Sequence, residues 1–148
     1  MTARVPAAQP RIHIELTDQA IDLPRLRVWL RDVDTGAHAW FEGVTRRMTG
    51  DRQTVQLAYE AFAPMATKQL RQLAQQAAME FELRAIAIVH RLGVVPVGEA
   101  SIVIGCCSAH RVGALAALPW LMDRIKADVA IWKQEHFADG VHQWVHPT

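Results

Sequence analysis

Four side chains that carry charge or move protons, His110, Arg111, Lys126 and Lys133, are threaded through residues 108–135, a stretch otherwise built largely of core-forming residues. Charge kept at the margins of an apolar segment fits a pocket that receives an anion. Arg111 offers a planar fork of donors that matches phosphate. If Ser108 caps a helix here, His110 and Arg111 fall in its first turn, where free N–H groups and the helix dipole favour an anion. A lysine set among other cations and apolar walls loses its proton more readily and can act as a proton donor or a nucleophile. Arg46 and Arg47 end a large-side-chain segment that contains Gly43, and a glycine there marks a bulge or a close approach of another backbone. Each feature also has a plainer reading. Arg111 then belongs to an ordinary helix start, the lysines are solvated, and Arg46, Arg47 and Arg52 make a basic loop.

The elements that must position these groups follow from periodicity. Alternation predicts strands over 11–16, 37–45 and 54–62, the last with Val55, Leu57 and Tyr59 on one side. Residues 46–53 read as a loop, and 93–99 as a turn-containing stretch between β-rich residues 85–92 and a buried strand over 100–107. Asp22 ahead of Leu23-Pro24 opens a short helix with Leu26, Trp29 and Leu30 on one face. Pro64 opens a second helix, with Leu70, Leu73, Ala74, Ala77 and Phe81 at helical intervals. A third, capped by Ser108, places Leu115, Leu118, Leu121, Met122 and Ile125 on its apolar face and is expected to kink at Pro119.

Lys126 and Lys133 are seven residues apart. A continuous helix would set them on one face about 10 Å apart. The alternation of Val129, Ile131 and Lys133 with Ala130, Trp132 and Gln134 favours a break into a strand over 129–137. Asp139-Gly140 then turns the chain into a returning strand over 141–145. This mixed order gives an α+β fold in a single domain over 11–148, after a loose leader over 1–10.

Bulk properties narrow the function. The 148 residues are 51% hydrophobic and 21% charged, enough for one core without staples. A net charge of +1 argues against a general nucleic-acid binder. Cys106 and Cys107 are adjacent, a spacing that strains a mutual disulfide, so a reducing cytoplasmic setting is expected. They end an apolar strand with nothing near to lower a thiol pKa, which reads as structural cysteine. His136, His142 and His146 complete no recognised metal spacing and read as a mobile, solvated tail, so no metal is expected. There is no Gly-rich phosphate loop and no Gly-x-Ser-x-Gly elbow.

Taken in order, a set of short motifs resembles the catalytic (large) subunit family of molybdopterin synthase. They are Gly36-Ala37, Phe41 to Arg46, Tyr59 to Ala66, Val89 to Gly93, Val97-Gly98-Glu99, Ser108 to Arg111, Lys126 and Ile131 to Glu135. Thr45, Pro119, Ala130 and Gln143 depart from the family pattern. The resemblance implies an α+β fold with an antiparallel hammerhead-like sheet packed with helices. It implies transfer of two sulfurs to cyclic pyranopterin monophosphate, forming the dithiolene of molybdopterin in molybdenum cofactor biosynthesis. The sulfur is carried as the thiocarboxylated C-terminus of a small ubiquitin-like subunit, and a homodimer of the large chain binds one such subunit at each end, a heterotetramer.

By the same resemblance Val44, Thr45, Arg46, His110, Arg111, Lys126, Lys133, Gln134 and Glu135 match substrate-binding positions, with Lys126 and Lys133 catalytic. The nucleophilic sulfur is imported, so no cofactor and no catalytic cysteine are needed. Two other readings remain open: a non-catalytic module that docks a ubiquitin-like tail, and a generic phosphate- or nucleotide-binding domain.

Overall fold

The computed structural model describes residues 9–145. Most of the expected leader, and His146, lie outside them. The elements run β1 (Arg11–Thr17), α1 (Leu23–Leu30), β2 (Ala37–Val44), β3 (Met48–Thr49), β4 (Arg52–Ala61), α2 (Ala63–Glu80), β5 (Leu83–Arg91), β6 (Gly93–Pro96), β7 (Ala100–Ser108), α3 (Arg111–Asp128), β8 (Ile131–Phe137) and β9 (His142–Val145). No helix is long and apolar enough to cross a membrane among these residues.

Two sheets form. The first has the order β1-β5-β7-β2, and the second β3-β4-β8-β9, with β6 also paired to β4. The α+β class stands, and within it one pairing, β1 with β5, is parallel. Strands β5 and β7 are central and covered on both faces, which is why each reads as a near-continuous apolar run. Alternate residues serve opposite layers. Ile86, Ile88, Ile102, Ile104 and Cys106 join Leu70, Ala74, Ala77, Ala117 and Leu121 of α2 and α3 in the main core. Ala87, Val89 and Val103 face Leu26 of α1, and Ala85 and Cys107 face Leu30. The two cysteines therefore point into different layers, both free and buried.

Close approach governs the glycines here. A Cβ on Gly105 would sit 2.3 Å from the Trp40 ring, so the neighbouring strand can carry a tryptophan only because this position is bare. At Gly43 a Cβ would meet Ile102 Cγ2 at 2.7 Å, and the register of β2 on β7 slips between Gly43 and Val44. The glycine at this place does mark a bulge, and what approaches it closely is the Ile102 side chain rather than another backbone. Ser101 is the residue left over by the slip, and its hydroxyl donates to Gly43 O at 3.2 Å.

Four local expectations change. Residues 46–53 are a small hairpin rather than a loop, with Thr49 paired to Arg52 across Gly50-Asp51. Ser108 closes β7 and His110 is the residue before α3; the Ser108 hydroxyl still accepts from Ala114 N at 3.0 Å. The buried stripe of α3 is Ala114, Ala117, Leu121 and Ile125, while Leu115 is 59% exposed. Pro119 does stand inside this helix as expected, on its exposed side, where water can satisfy the carbonyl left without an N–H. Finally, His136 and His142 are not a solvated tail: they are cross-strand partners of β8 and β9 with rings stacked 3.7 Å apart.

The break between α3 and β8 is held by tertiary bonds. Gln69 Oε1 of α2 accepts from Ala130 N at 2.8 Å, and Phe62 N donates to Ala130 O at 3.3 Å. Together they draw one residue out of the helix and start the strand.

Candidate active site

A cavity of about 470 Å³ opens where the end of β2, the C-terminal turn of α3 and the second sheet meet. Its walls come from chemistry that the strands enforce. On β8, Lys133 and Glu135 share a face and stand opposite Tyr59 and Leu57 of β4 in register. Val55 is an extra residue in β4 at a bulge, half exposed, so Thr54 comes to the same side as Leu57 and Tyr59. Strict alternation would have put Val55 there instead, as the sequence suggests.

The exit of β2 is clamped. Thr45, 2% exposed, donates its N–H to Glu99 O at 3.1 Å, accepts from Gly98 N at 2.9 Å and donates its hydroxyl to Val95 O at 3.4 Å. With its neighbour fixed in this way, Arg46 leaves the strand at the cavity wall. Val44 lines the wall as well. From α3, Met122, Ile125 and Lys126 close another side, and Ile131 and Trp132 begin the side formed by β8.

Arg46, Lys126 and Lys133 all line this cavity, and none has an ion-pair partner among the described residues. Other arginines are spoken for: Arg84 pairs with Asp32 at 3.0 Å and Arg91 with Glu99 at 3.1 Å. Burial, and then the charge of Lys126, hold the Lys133 ammonium below the ordinary lysine range, with Arg46 adding to the effect and Glu135 opposing it. Glu135 is itself buried and held, accepting hydrogen bonds from the hydroxyls of Thr49 and, at 2.6 Å, Thr54.

Gln134 alternates to the other face of β8, where its carbonyl lies 2.9 Å from His136 Nε2, and it takes no part in the lining. His110 and Arg111 are exposed at the opposite end of α3 and do not line the cavity either. Fifteen helical residues separate Arg111 from Lys126, about 22 Å along the axis. One chain thus gathers Val44, Thr45, Arg46, Lys126, Lys133 and Glu135 and leaves three of the expected residues outside.

Three polar residues that the site reading missed also line the wall: Tyr59, His90 and Ser101, from three different strands. The Tyr59 hydroxyl donates to Ser101 Oγ at 3.1 Å, and its ring meets His90 edge-on at a centroid distance of 4.8 Å. Burial pushes the His90 imidazole down to about 4, partly offset by its bond to the Arg91 carbonyl and reinforced by the charge of Lys133. The signals for His90 in the sequence are a histidine standing in an apolar strand run and its place in the Val89 to Gly93 motif. Both thiols are held the other way: burial pushes Cys106 up to about 12 and raises Cys107. Neither is poised as a nucleophile.

The cavity thus sets three cations, unpaired among the described residues, against apolar walls and carries no cysteine in its lining. Comparison with known proteins identifies the family. The family model described as MoaE protein matches residues 16–128. A molybdopterin synthase catalytic subunit of Oryza sativa subsp. indica is 39% identical over 130 residues, 86% of this chain and 67% of that protein. The crystal structure of molybdopterin synthase from Staphylococcus aureus superposes with a TM-score of 0.83 at 32% identity, covering 88% of this chain and 95% of that one. A chain from a protein-protein complex of subunits 1 and 2 of the molybdopterin-converting factor of Helicobacter pylori shares the fold, with a TM-score of 0.73 at 18% identity over 89% of each chain. With its fold, its cavity and its relatives in agreement, the chain belongs to the MoaE family of molybdopterin synthase catalytic subunits.

Proposed function

We propose that this chain transfers sulfur from the thiocarboxylated C-terminus of a small ubiquitin-like subunit to cyclic pyranopterin monophosphate, forming the molybdopterin dithiolene. The observation that carries the reading is the trio Arg46, Lys126 and Lys133, three cations without carboxylate partners among the described residues, on one cavity of small-molecule size. Arg46 suits the monophosphate, since a guanidinium offers two parallel donors to phosphate oxygens. Lys126 and Lys133 suit the reacting end, where sulfur attack builds negative charge and protons are needed. The lowered proton affinity of Lys133 supports a role as proton donor. Once sulfur has bonded to the pterin, water cleaves the remaining bond between that sulfur and the tail's acyl carbon, so each delivery leaves the partner's tail as a carboxylate with one oxygen from water. The two buried, inert thiols accord with a nucleophile brought by another protein, and free thiols fit a reducing, cytoplasmic compartment.

The homodimer belongs to the same reading. His110 and Arg111, about 22 Å from Lys126, serve the cavity if a two-fold partner brings its own copies to it. An isologous dimer does this twice, once for each cavity. The Helicobacter pylori complex supports a second, different subunit in the assembly.

A second reading, a module that docks the partner's tail without turning over, draws on Gln143, on β9, and Ala130, two of the positions that depart from the pattern of the resemblance. The discriminating experiment mixes this chain with thiocarboxylated partner and cyclic pyranopterin monophosphate and follows both complex formation and the pterin. Conversion supports the synthase. Complex formation with the pterin unchanged supports the module, and stabilisation by ordinary nucleotides in a thermal-shift panel supports neither.

A further inference from the structure

Beside Lys133, which stands opposite Tyr59 in register and whose charge reaches His90, the cavity wall carries neutral groups with a chemistry of their own. His90 is 6% exposed and lines the wall. Its Nδ1 lies 2.8 Å from the Arg91 carbonyl, which can only accept, so Nδ1 carries the ring proton and Nε2 is left as a lone pair. Among the described residues Nε2 has no hydrogen-bond partner, and it is not among the fully enclosed unsatisfied atoms. Nε2 therefore keeps some access to solvent, and the residue lines the cavity. Tyr59, packed edge-on against this ring, is committed in the same sense. Its hydroxyl proton goes to Ser101 Oγ, whose own proton goes to Gly43 O, so the phenol oxygen has only lone pairs to offer. Both groups spend their protons on the protein and present acceptors inward. The three cations present only donors.

We propose that His90 and Tyr59 form an acceptor corner that takes an N–H edge of the bound ligand, making them specificity-determining residues for a molecule that carries N–H donors as well as an anionic group. The inference rests on the reading of this cavity as the pterin phosphate site and extends it: the cations hold the phosphate and the corner reads the heterocycle. A phosphorylated compound with no N–H edge satisfies the cations but leaves the lone pairs of Nε2 and Oη unmet, and an unmet buried acceptor opposes binding. The low proton affinity of His90 keeps the corner uncharged at working pH.

Titration calorimetry at pH 7.5 tests this with two probes, cyclic pyranopterin monophosphate and inorganic phosphate. The proteins are the wild type, His90→Phe, which keeps a ring and removes the acceptor, and His90→Gln, which can restore one. The expected result for His90→Phe is a pterin affinity about tenfold weaker with phosphate affinity within about twofold of wild type. His90→Gln recovers most of the loss, and Tyr59→Phe shows a smaller loss of the same selectivity. In turnover, His90→Phe raises KM with kcat nearly unchanged, as loss of uniform binding requires. Equal pterin affinity in wild type and His90→Phe, or parallel losses for both probes, overturns the acceptor corner and leaves the synthase reading standing. Wild-type protein that binds phosphate but not the pterin overturns both.

Discussion

Lys126 ends a helix and Lys133 lies on the strand after it, yet both line one cavity because Ala130 is pulled out of the helix between them. Had the helix continued, the two ammonium groups would stand along one helical face rather than on two walls. The bend therefore converts a spacing in sequence into a site, and its anchor is Gln69.

Removing that anchor should loosen the site without dismantling the fold. Gln69→Ala leaves the Ala130 N–H without its partner and should cost about 1 kcal/mol of stability. Denaturant unfolding measures the loss. Sulfur transfer should fall further than the stability change alone accounts for, because both lysines depend on this turn.

Lys126 is exposed, so its loss is a surface change for folding, within about 0.5 kcal/mol. Lys126→Ala should nonetheless lower dithiolene formation by roughly a hundredfold or more, the scale for losing one preorganised charge at a reacting centre. Thermal unfolding, partner binding and product yield, measured on the same preparation, separate the two effects. Full product yield from this variant contradicts the role assigned to the lysine.

The titration of Lys133 gives a signed pH dependence. Its folded pKa lies below the ordinary 10.5, so the protonated form that supports turnover disappears at a lower pH than for a free lysine. Activity should decline on the alkaline side below pH 10.5, and Lys133→Arg, whose charge persists, should move that limb upward. Stability runs the other way. The unfolded chain holds this proton more tightly, so the lysine's contribution improves as pH rises from its folded pKa towards 10.5.

His90 sets an acid-side effect. Its folded pKa of about 4 against 6.5 means that the unfolded chain binds the proton first as pH falls. Its contribution is fully present above 6.5 and is lost progressively down to about 4, a change of about 3 kcal/mol. Denaturant titrations of wild type and His90→Gln across that window should diverge by this order, with wild type losing more.

Much of this was legible in the chain. The central strands announce themselves as apolar runs, the Asp22 cap bonds Arg25 N at 3.1 Å as its position suggests, and the break after residue 128 follows from alternation at Val129, Ile131 and Lys133. What was hidden is non-local. The bulges at Val55 and Ser101 exist only because two strands pair out of step, and each moves a hydroxyl to the cavity side. His90 and Tyr59 meet only after β4 and β5 have been assembled into different sheets. The Leu115 side of α3 looked like core by hydrophobicity, but the alanines Ala114 and Ala117 let the helix lie close on the sheet, and the larger residue faces outward. The separation of Arg111 from Lys126 was implicit in helix length, and their residue types alone suggested one pocket.

That separation makes a prediction about assembly. If each cavity draws Arg111 from one copy and Lys126 from the other, Arg111→Ala and Lys126→Ala chains are each inactive alone. Exchanged together, they form mixed dimers with one intact cavity, returning about a quarter of wild-type activity. No recovery on mixing, with exchange verified, contradicts a shared cavity.

The most direct test of the whole account is a mass measurement on a single reaction containing this chain, thiocarboxylated small subunit and cyclic pyranopterin monophosphate. The account predicts that the small subunit's tail changes from thiocarboxylate to carboxylate while the pterin gains two sulfurs, and that Arg46→Ala, Lys126→Ala and Lys133→Ala each suppress both changes. A tail that keeps its sulfur beside an unaltered pterin, or conversion that proceeds undiminished in all three variants, contradicts it.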